Sequence, residues 1–215
     1  MKTFYDWCIE NNREDLLKEW HVTKNNDLKP ENVSYGSNKR VWWRCDNGHE
    51  WQASIVHRKN GRSCPYCSNK KVLKGYNDLA TTHPHLVSEW NFDKNKDLTP
   101  NDVVSGSSKK VWWKCKRGHE WQVSPNQRIY YNSNCPYCSN NKVLKGYNDL
   151  ASTHPHLLKE WDFEKNKGLS PYEVIAGSNK RVWWKCKKGH EWQASIQMRA
   201  LEAQKCPYCC NQKIL

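Results

Sequence analysis

The chain contains the stretch Val182-Trp183-Trp184-Lys185-Cys186-Lys187-Lys188-Gly189-His190-Glu191-Trp192, closed by Cys206-Pro207-Tyr208-Cys209, and it repeats this pattern three times. Each copy supplies a Cys-x3-His pair and a Cys-x2-Cys pair, the ligand set of a closed tetrahedral zinc site. The predicted zinc ligands are Cys45, His49, Cys64, Cys67, Cys115, His119, Cys135, Cys138, Cys186, His190, Cys206 and Cys209. We call the Cys-x3-His pair the first knuckle and the Cys-Pro-Tyr-Cys pair the second knuckle.

The residues between the ligands explain how four side chains reach one metal. Gly48, Gly118 and Gly189 each precede the histidine, where a tight turn favours a residue that tolerates positive φ. Proline in the second knuckle fixes φ for another turn. Disulfides are the alternative, but they need an oxidising compartment, and residues 1–6 contain no apolar signal-peptide core. Because four protein ligands close each site, we predict three structural Zn²⁺ ions.

The spacing of the repeats predicts the domain organisation. Cys45, Cys115 and Cys186 mark steps of 70 and 71 residues, so we predict module 1 over residues 1–68, module 2 over 69–139 and module 3 over 140–215. Hydrophobic residues make up 37% of the chain and the mean hydropathy is −1.03, so each module has little apolar core of its own. Modules of this size generally need a metal to fold.

The tryptophans predict how each module is built. Trp42-Trp43 and its counterparts lie in a strand, where neighbouring side chains point to opposite faces, so one ring faces the core and the other faces outward. The strand, the first knuckle and the returning Glu-Trp-Gln strand predict a β-hairpin. A short helix before Trp20, Trp90 and Trp161 completes the module. The predicted fold class is therefore small α+β metal-stabilised modules, each a β-hairpin with a zinc knuckle and short helices.

The charge predicts a polyanionic partner. The chain contains 35 Lys and Arg residues and 22 Asp and Glu residues, which gives a net charge of +13. One arginine follows each hairpin and a basic pair precedes it, so we predict that these side chains contact nucleic-acid phosphates. They are Arg58, Arg128, Arg199, Lys39, Arg40, Lys109, Lys110, Lys180 and Arg181. The alternative is that each arginine stacks on a tryptophan of its own module. No run of 18 apolar residues exists, so no membrane helix is predicted.

These motifs resemble the family of tandem treble-clef or zinc-ribbon modules, marked by Trp-Trp-x-Cys, Gly-His-Glu-Trp, a following Arg and Cys-Pro-Tyr-Cys. The resemblance covers residues 13–211 three times over. It implies a treble-clef fold, structural zinc and nucleic-acid binding. Members of this family occur in tandem, beside endonuclease domains, and in proteins of phages and mobile elements.

The leading function predicted from the sequence is binding of duplex DNA by a basic face across the three modules, in a cytoplasmic or nucleoid-associated protein. RNA or single-strand binding through outward aromatic rings stays open. So do a protein-binding adaptor or inhibitor that acts on a host nucleoprotein complex, and an accessory subunit of a nuclease. The hairpin histidine is committed to zinc, and no spare histidine with an asparagine or a carboxylate pair recurs in each module, so the chain is predicted not to be an enzyme.

Overall fold

Three β-hairpins form the framework of the protein, as the sequence predicts. The computed structural model describes residues 2–202 and 204–210. Its strands are β1 (Arg40–Arg44), β2 (Glu50–Ser54), β3 (Val111–Lys114), β4 (Glu120–Val123), β5 (Arg181–Lys185) and β6 (Glu191–Ser195). β1 pairs with β2, β3 with β4 and β5 with β6, and isolated bridges join Trp20 to Trp43 and Trp161 to Trp184. No helix among the described residues is long and apolar enough to cross a membrane.

Short helices surround the hairpins. The α-helices are α1 (Phe4–Glu10), α2 (Glu14–Lys18), α3 (Ile55–Lys59), α4 (Leu79–Thr82), α5 (Phe92–Asn95), α6 (Pro125–Tyr130), α7 (Leu150–Thr153) and α8 (Ile196–Ala200). Single 3₁₀ segments cover Pro30–Asn32, Pro84–Glu89, Pro100–Asp102 and Pro155–Lys159. The helix predicted before Trp20, Trp90 and Trp161 is α-helical in module 1 but 3₁₀ in the later two modules, where proline opens it.

The chain divides into two compact units, Met1–Val111 with Ser124–Asn126, and Trp112–Val123 with Gln127–Leu215. The module boundaries predicted at residues 68 and 139 stay predictions. In the first unit the core centres on Trp43, which is 0% exposed and meets Trp20 edge to face at 5.5 Å between ring centroids. In the second unit Trp184 and Trp161 repeat this contact at 5.5 Å. Tryptophan pairs therefore replace much of the missing aliphatic core.

The predicted alternation of the tandem tryptophans is confirmed. Trp43 and Trp184 are buried, while the preceding Trp42 and Trp183 are half-buried. The buried Trp43 indole donates to the carbonyl of Ala53 at 3.0 Å, which satisfies its polar atom in the core. Lys24 and Lys165 lie over the outward rings of Trp42 and Trp183, at 4.5 and 4.4 Å from the centroids.

Asp78 begins α4 and ties it to the preceding turn. This fully buried carboxylate accepts hydrogen bonds from the amides of Thr81 at 3.0 Å and Gly75 at 2.6 Å. Burial acts to raise the pKa of Asp78, but hydrogen bonds from the Thr81 hydroxyl and from these two amides outweigh it and hold that pKa below its usual value. Asp149 caps α7 in the same way.

We expect Asp78→Ala to lower the free energy of unfolding by about 1–2 kcal/mol, because the helix cap is lost. A depressed folded-state pKa stabilises above the unfolded pKa, so the contribution of Asp78 should disappear as pH falls below about 4. Chemical denaturation at neutral and acid pH measures both effects. Asp93→Ala, at an exposed first-turn position of α5, is the control. An equal loss in both variants would contradict the capping role.

Candidate metal centres and nucleic-acid interface

The backbone of the first knuckle places its cysteine and histidine side by side. In module 1 the amide of Cys45 bonds to the carbonyl of His49 at 3.1 Å, and the amide of Gly48 bonds to the carbonyl of Cys45 at 2.8 Å. This turn requires Gly48 at φ +78°, and the corresponding glycines of the other modules have φ of +83° and +82°. A side chain there would strain the turn, as the sequence predicts.

The second knuckle adds two more sulfurs to each centre. In all three modules the four predicted ligands offer one atom each, and these atoms lie within 4.8 Å of one another. A zinc ion at about 2.3 Å from sulfur and 2.0 Å from nitrogen would separate two sulfurs by about 3.8 Å, and sulfur from nitrogen by about 3.5 Å.

The observed distances agree with that tetrahedron. The Sγ atoms of Cys45 and Cys67 are 3.7 Å apart, and Nδ1 of His49 lies 3.2–3.7 Å from the sulfurs of Cys45, Cys64 and Cys67. In the other centres the corresponding sulfurs are 3.9 and 3.8 Å apart. The residues therefore fit three closed Cys3His sites for structural zinc, which confirms the predicted metal.

The two thiols of the second knuckle in module 1 differ in pKa when no metal is bound. Burial raises the pKa of Cys64 to about 11. Burial opposes ionisation of Cys67 as well, but hydrogen bonds from Asn47 and His49 lower its pKa to about 7. Zinc must displace the proton of Cys64, so binding releases protons and weakens in acid.

A segment outside the predicted ligand set covers the histidine of two centres. The ring of Tyr76 meets His49 at 4.1 Å between centroids, and Tyr147 meets His119 at the same distance. Next to Tyr76, the buried Asn77 donates to the carbonyls of Tyr66 and Lys71 at 2.8 and 2.9 Å. The repeated Lys-Gly-Tyr-Asn-Asp-Leu sequence could have revealed this contact, because it follows the second knuckle of module 1 and that of module 2 at the same spacing.

The two non-ligand cysteines differ in their environment. Cys8 is fully buried in the core of the first unit, and burial raises its pKa to about 11. Cys210 follows a zinc ligand and is exposed.

Of the arginines that follow the hairpins, Arg58 and Arg128 are buried and Arg199 is half-buried. Arg58 and Arg128 are each 4% exposed, and the guanidinium of Arg58 forms an ion pair with Glu19. It also lies 5.3 and 5.5 Å from the ring centroids of Trp43 and Trp51. The burial contradicts the expectation that these side chains are presented to phosphate. Their charge interacts instead with an internal carboxylate and with indole rings.

The other two arginines follow the same plan. Arg128 lies 5.8 Å from the ring of Trp113 and 6.0 Å from that of Trp121. Arg199 pairs with Glu160, with its Nε 3.1 Å from the carboxylate, and lies 5.9 Å from the ring of Trp184. The alternative prediction, that each arginine stacks on a tryptophan of its own module, is confirmed.

The basic pairs before the hairpins are exposed. Lys39, Lys109, Lys180 and their neighbours Arg40, Lys110 and Arg181 all lie at the surface. Arg40 donates to the carbonyl of Gln52 at 2.8 Å, and Arg181 donates to that of Gln193 at 3.1 Å. These bonds cross the hairpin and orient each guanidinium while its other N–H groups face solvent. Their role in binding nucleic acid stays a prediction.

A family model described as the probable treble clef zinc finger domain matches residues 16–70, 86–141 and 157–212. The chain belongs to this family. Each match contains all four ligands of one centre, so the resemblance drawn from the sequence motifs is confirmed. The fold assignment, three tandem treble-clef modules with a hairpin and a zinc knuckle, is confirmed with it.

The chain is also similar to a protein of Escherichia phage T5 named "Putative endonuclease", with 26% identity over 163 residues. The match covers 72% of this chain and 53% of the phage protein, so the chain spans about half the length of that relative. The name of the relative contradicts the prediction that the chain is not an enzyme. That prediction was wrong because it assumed that a catalytic residue would recur in every module, whereas a catalytic residue need not recur.

Proposed function

We propose that the treble-clef modules bind nucleic acid, with duplex DNA as the ligand, and that the exposed basic pairs before the hairpins contact the phosphates. The observation that carries the proposal is the orientation of Arg40 and Arg181 by the opposite strand. An arginine held in one direction loses less conformational entropy when it binds phosphate. The net charge of +13 supports a polyanionic ligand.

The proposed interface omits Arg58, Arg128 and Arg199, whose charges have internal partners. It retains Lys39, Arg40, Lys109, Lys110, Lys180 and Arg181 from the sequence prediction. The proposed setting is a phage or mobile-element protein in the reducing cytoplasm, which is supported by nine cysteines in zinc centres and by the phage relative.

We expect the double variant Arg40→Gln/Arg181→Gln to bind duplex DNA more weakly and with a lower salt dependence. Two lost phosphate contacts should reduce the slope of log affinity against log salt by about 2. Fluorescence anisotropy across a salt series measures it.

Lys2→Gln/Arg13→Gln is the control, because it removes the same charge from side chains that already pair with Glu10 and Asp15. An unchanged slope in the Arg40→Gln/Arg181→Gln variant would remove the basic pairs from the interface. A single-stranded or RNA probe in the same series tests the choice of ligand: tighter binding there than to duplex would overturn duplex DNA.

The second candidate function is cleavage of the bound nucleic acid. It is favoured by the name of the phage relative. Incubation with supercoiled plasmid and Mg²⁺ tests it, and nicking by the wild type that is lost in Arg40→Gln/Arg181→Gln would support it. A wild-type chain that leaves the plasmid intact would overturn this candidate.

A further inference from the structure

A groove runs between the hairpin and the second knuckle in modules 1 and 3. In module 1 it has a volume of about 420 Å³ and an apolar wall formed by Trp51 and Pro65. In module 3 the corresponding Trp192 and Pro207 line a groove of about 290 Å³. Both volumes are close to the range of small-ligand sites, about 300–1,000 Å³.

The groove of module 1 is basic. Its polar lining includes Arg40, His57, Arg62, Lys70 and Lys71, and no carboxylate lines it. All five side chains are exposed. Across residues 2–202 and 204–210, Arg62, Lys70 and Lys71 form no ion pair, whereas Lys24, Lys74, Lys165 and Lys185 each pair with a carboxylate. Positive charge is therefore concentrated, without neutralisation, around one concave surface.

The backbone under these side chains is fixed by the zinc module. The amides of Lys70 and Lys71 bond to the carbonyl of Pro65 at 2.8 and 3.0 Å, which anchors both lysines to the second knuckle. On the other wall, the buried Arg58 donates to the carbonyl of Arg62. The buried Arg58 therefore positions the loop that carries the exposed Arg62. An anion that enters the groove meets donors whose backbone is already ordered.

Fewer basic residues line the groove of module 3 among the residues that the structure describes. Arg181 occupies the place of Arg40, but Met198 replaces His57 and Gln204 replaces Arg62. Lys205 is its other basic lining residue. The positions that correspond to Lys70 and Lys71 lie outside the described residues.

From these contacts and charges we infer that the groove of module 1 is a phosphodiester-binding site. This inference rests on the proposed function and assigns it to a surface that the repeated basic pairs alone do not identify, because Arg62, Lys70 and Lys71 lie beyond the hairpin.

The test uses the full-length chain, zinc-loaded, and a fluorescent duplex of about 20 base pairs. Lys70→Gln/Lys71→Gln should weaken binding on the order of tenfold or more near 0.1 M salt and reduce the salt slope by about 2. Lys18→Gln/Lys29→Gln is the matched control, since it removes two exposed charges of module 1 outside the groove. Zinc content and denaturation profiles confirm that both variants are folded.

A gain-of-function variant tests the groove in a second module. Gln204→Arg gives module 3 the groove arginine of module 1 and should strengthen binding several-fold, with a steeper salt slope. Arg62→Gln in module 1 should weaken binding.

The possible results separate the inference from the function. A wild-type chain that fails to bind the duplex at low salt overturns the proposed function together with the groove. A wild-type chain that binds, with equal losses in the Lys70→Gln/Lys71→Gln and Lys18→Gln/Lys29→Gln variants, overturns the groove and leaves the function standing.

Discussion

Cys67→Ser is expected to reduce the zinc content from three ions per chain to two and to unfold module 1. A structural zinc site contributes on the order of 10 kcal/mol to folding, which exceeds what a small core supplies. The first unit has its buried cluster around Trp43 and includes the ligand Cys64 itself, so the metal and the core are one structure. Metal analysis gives the stoichiometry, and hydrogen exchange of the Trp43 indole N–H reports the core.

Cys210→Ser is the matched control for this prediction. Cys210 is exposed and is not a ligand in the described structure, so its replacement should leave three zinc ions and an intact core. Retention of three ions by Cys67→Ser would show that Cys67 is not an essential ligand. A protected Trp43 indole after loss of one ion would show that module 1 does not depend on its metal.

The second large effect is expected for Arg58→Met, which should lower the free energy of unfolding by about 3 kcal/mol. Removing one partner of a buried ion pair costs roughly 3–5 kcal/mol, and the lower end applies because the Glu19 side chain is 23% exposed. The variant also loses the stacking on Trp43 and Trp51 and the bond to the carbonyl of Arg62. Chemical denaturation, monitored through the release of zinc, measures the loss of stability.

Arg13→Met provides the comparison, because the ion pair of Arg13 with Asp15 lies at the surface and should contribute less than about 1 kcal/mol. If both arginine variants lose the same stability, the buried pair has no special role. If Arg58→Met stays fully stable but loses DNA affinity, Arg58 is a phosphate contact and the structural assignment is wrong.

The sequence predicts the metal centres well because their information is local. Cys45 and His49 lie four residues apart, and the glycine between them indicates the tight turn with positive φ that the structure contains. The inward and outward faces of Trp42 and Trp43 follow in the same way from strand geometry. The helix before Trp90 is less well predicted, because a short proline-initiated segment has similar α and 3₁₀ patterns.

The basic residues are harder to interpret, because their surroundings come from distant parts of the chain. Arg58 follows the hairpin like a recognition residue, but its partner Glu19 lies 39 residues earlier. The sequence contains both residues without showing that they meet. The groove has the same origin, since Arg62 and Lys71 belong to a loop and a post-knuckle turn that converge only in the fold.

Asn77 has a practical consequence for dissecting the protein. Its amide binds the carbonyls of Tyr66 and Lys71, while the next residue, Asp78, starts the following helix. A fragment that stops at residue 68 would leave the carbonyl of Tyr66 without the Asn77 amide and would remove the contact of Tyr76 with His49. Peptides meant to represent one repeat should therefore overlap at their junction, each retaining the tyrosine and asparagine that belong by position to its successor.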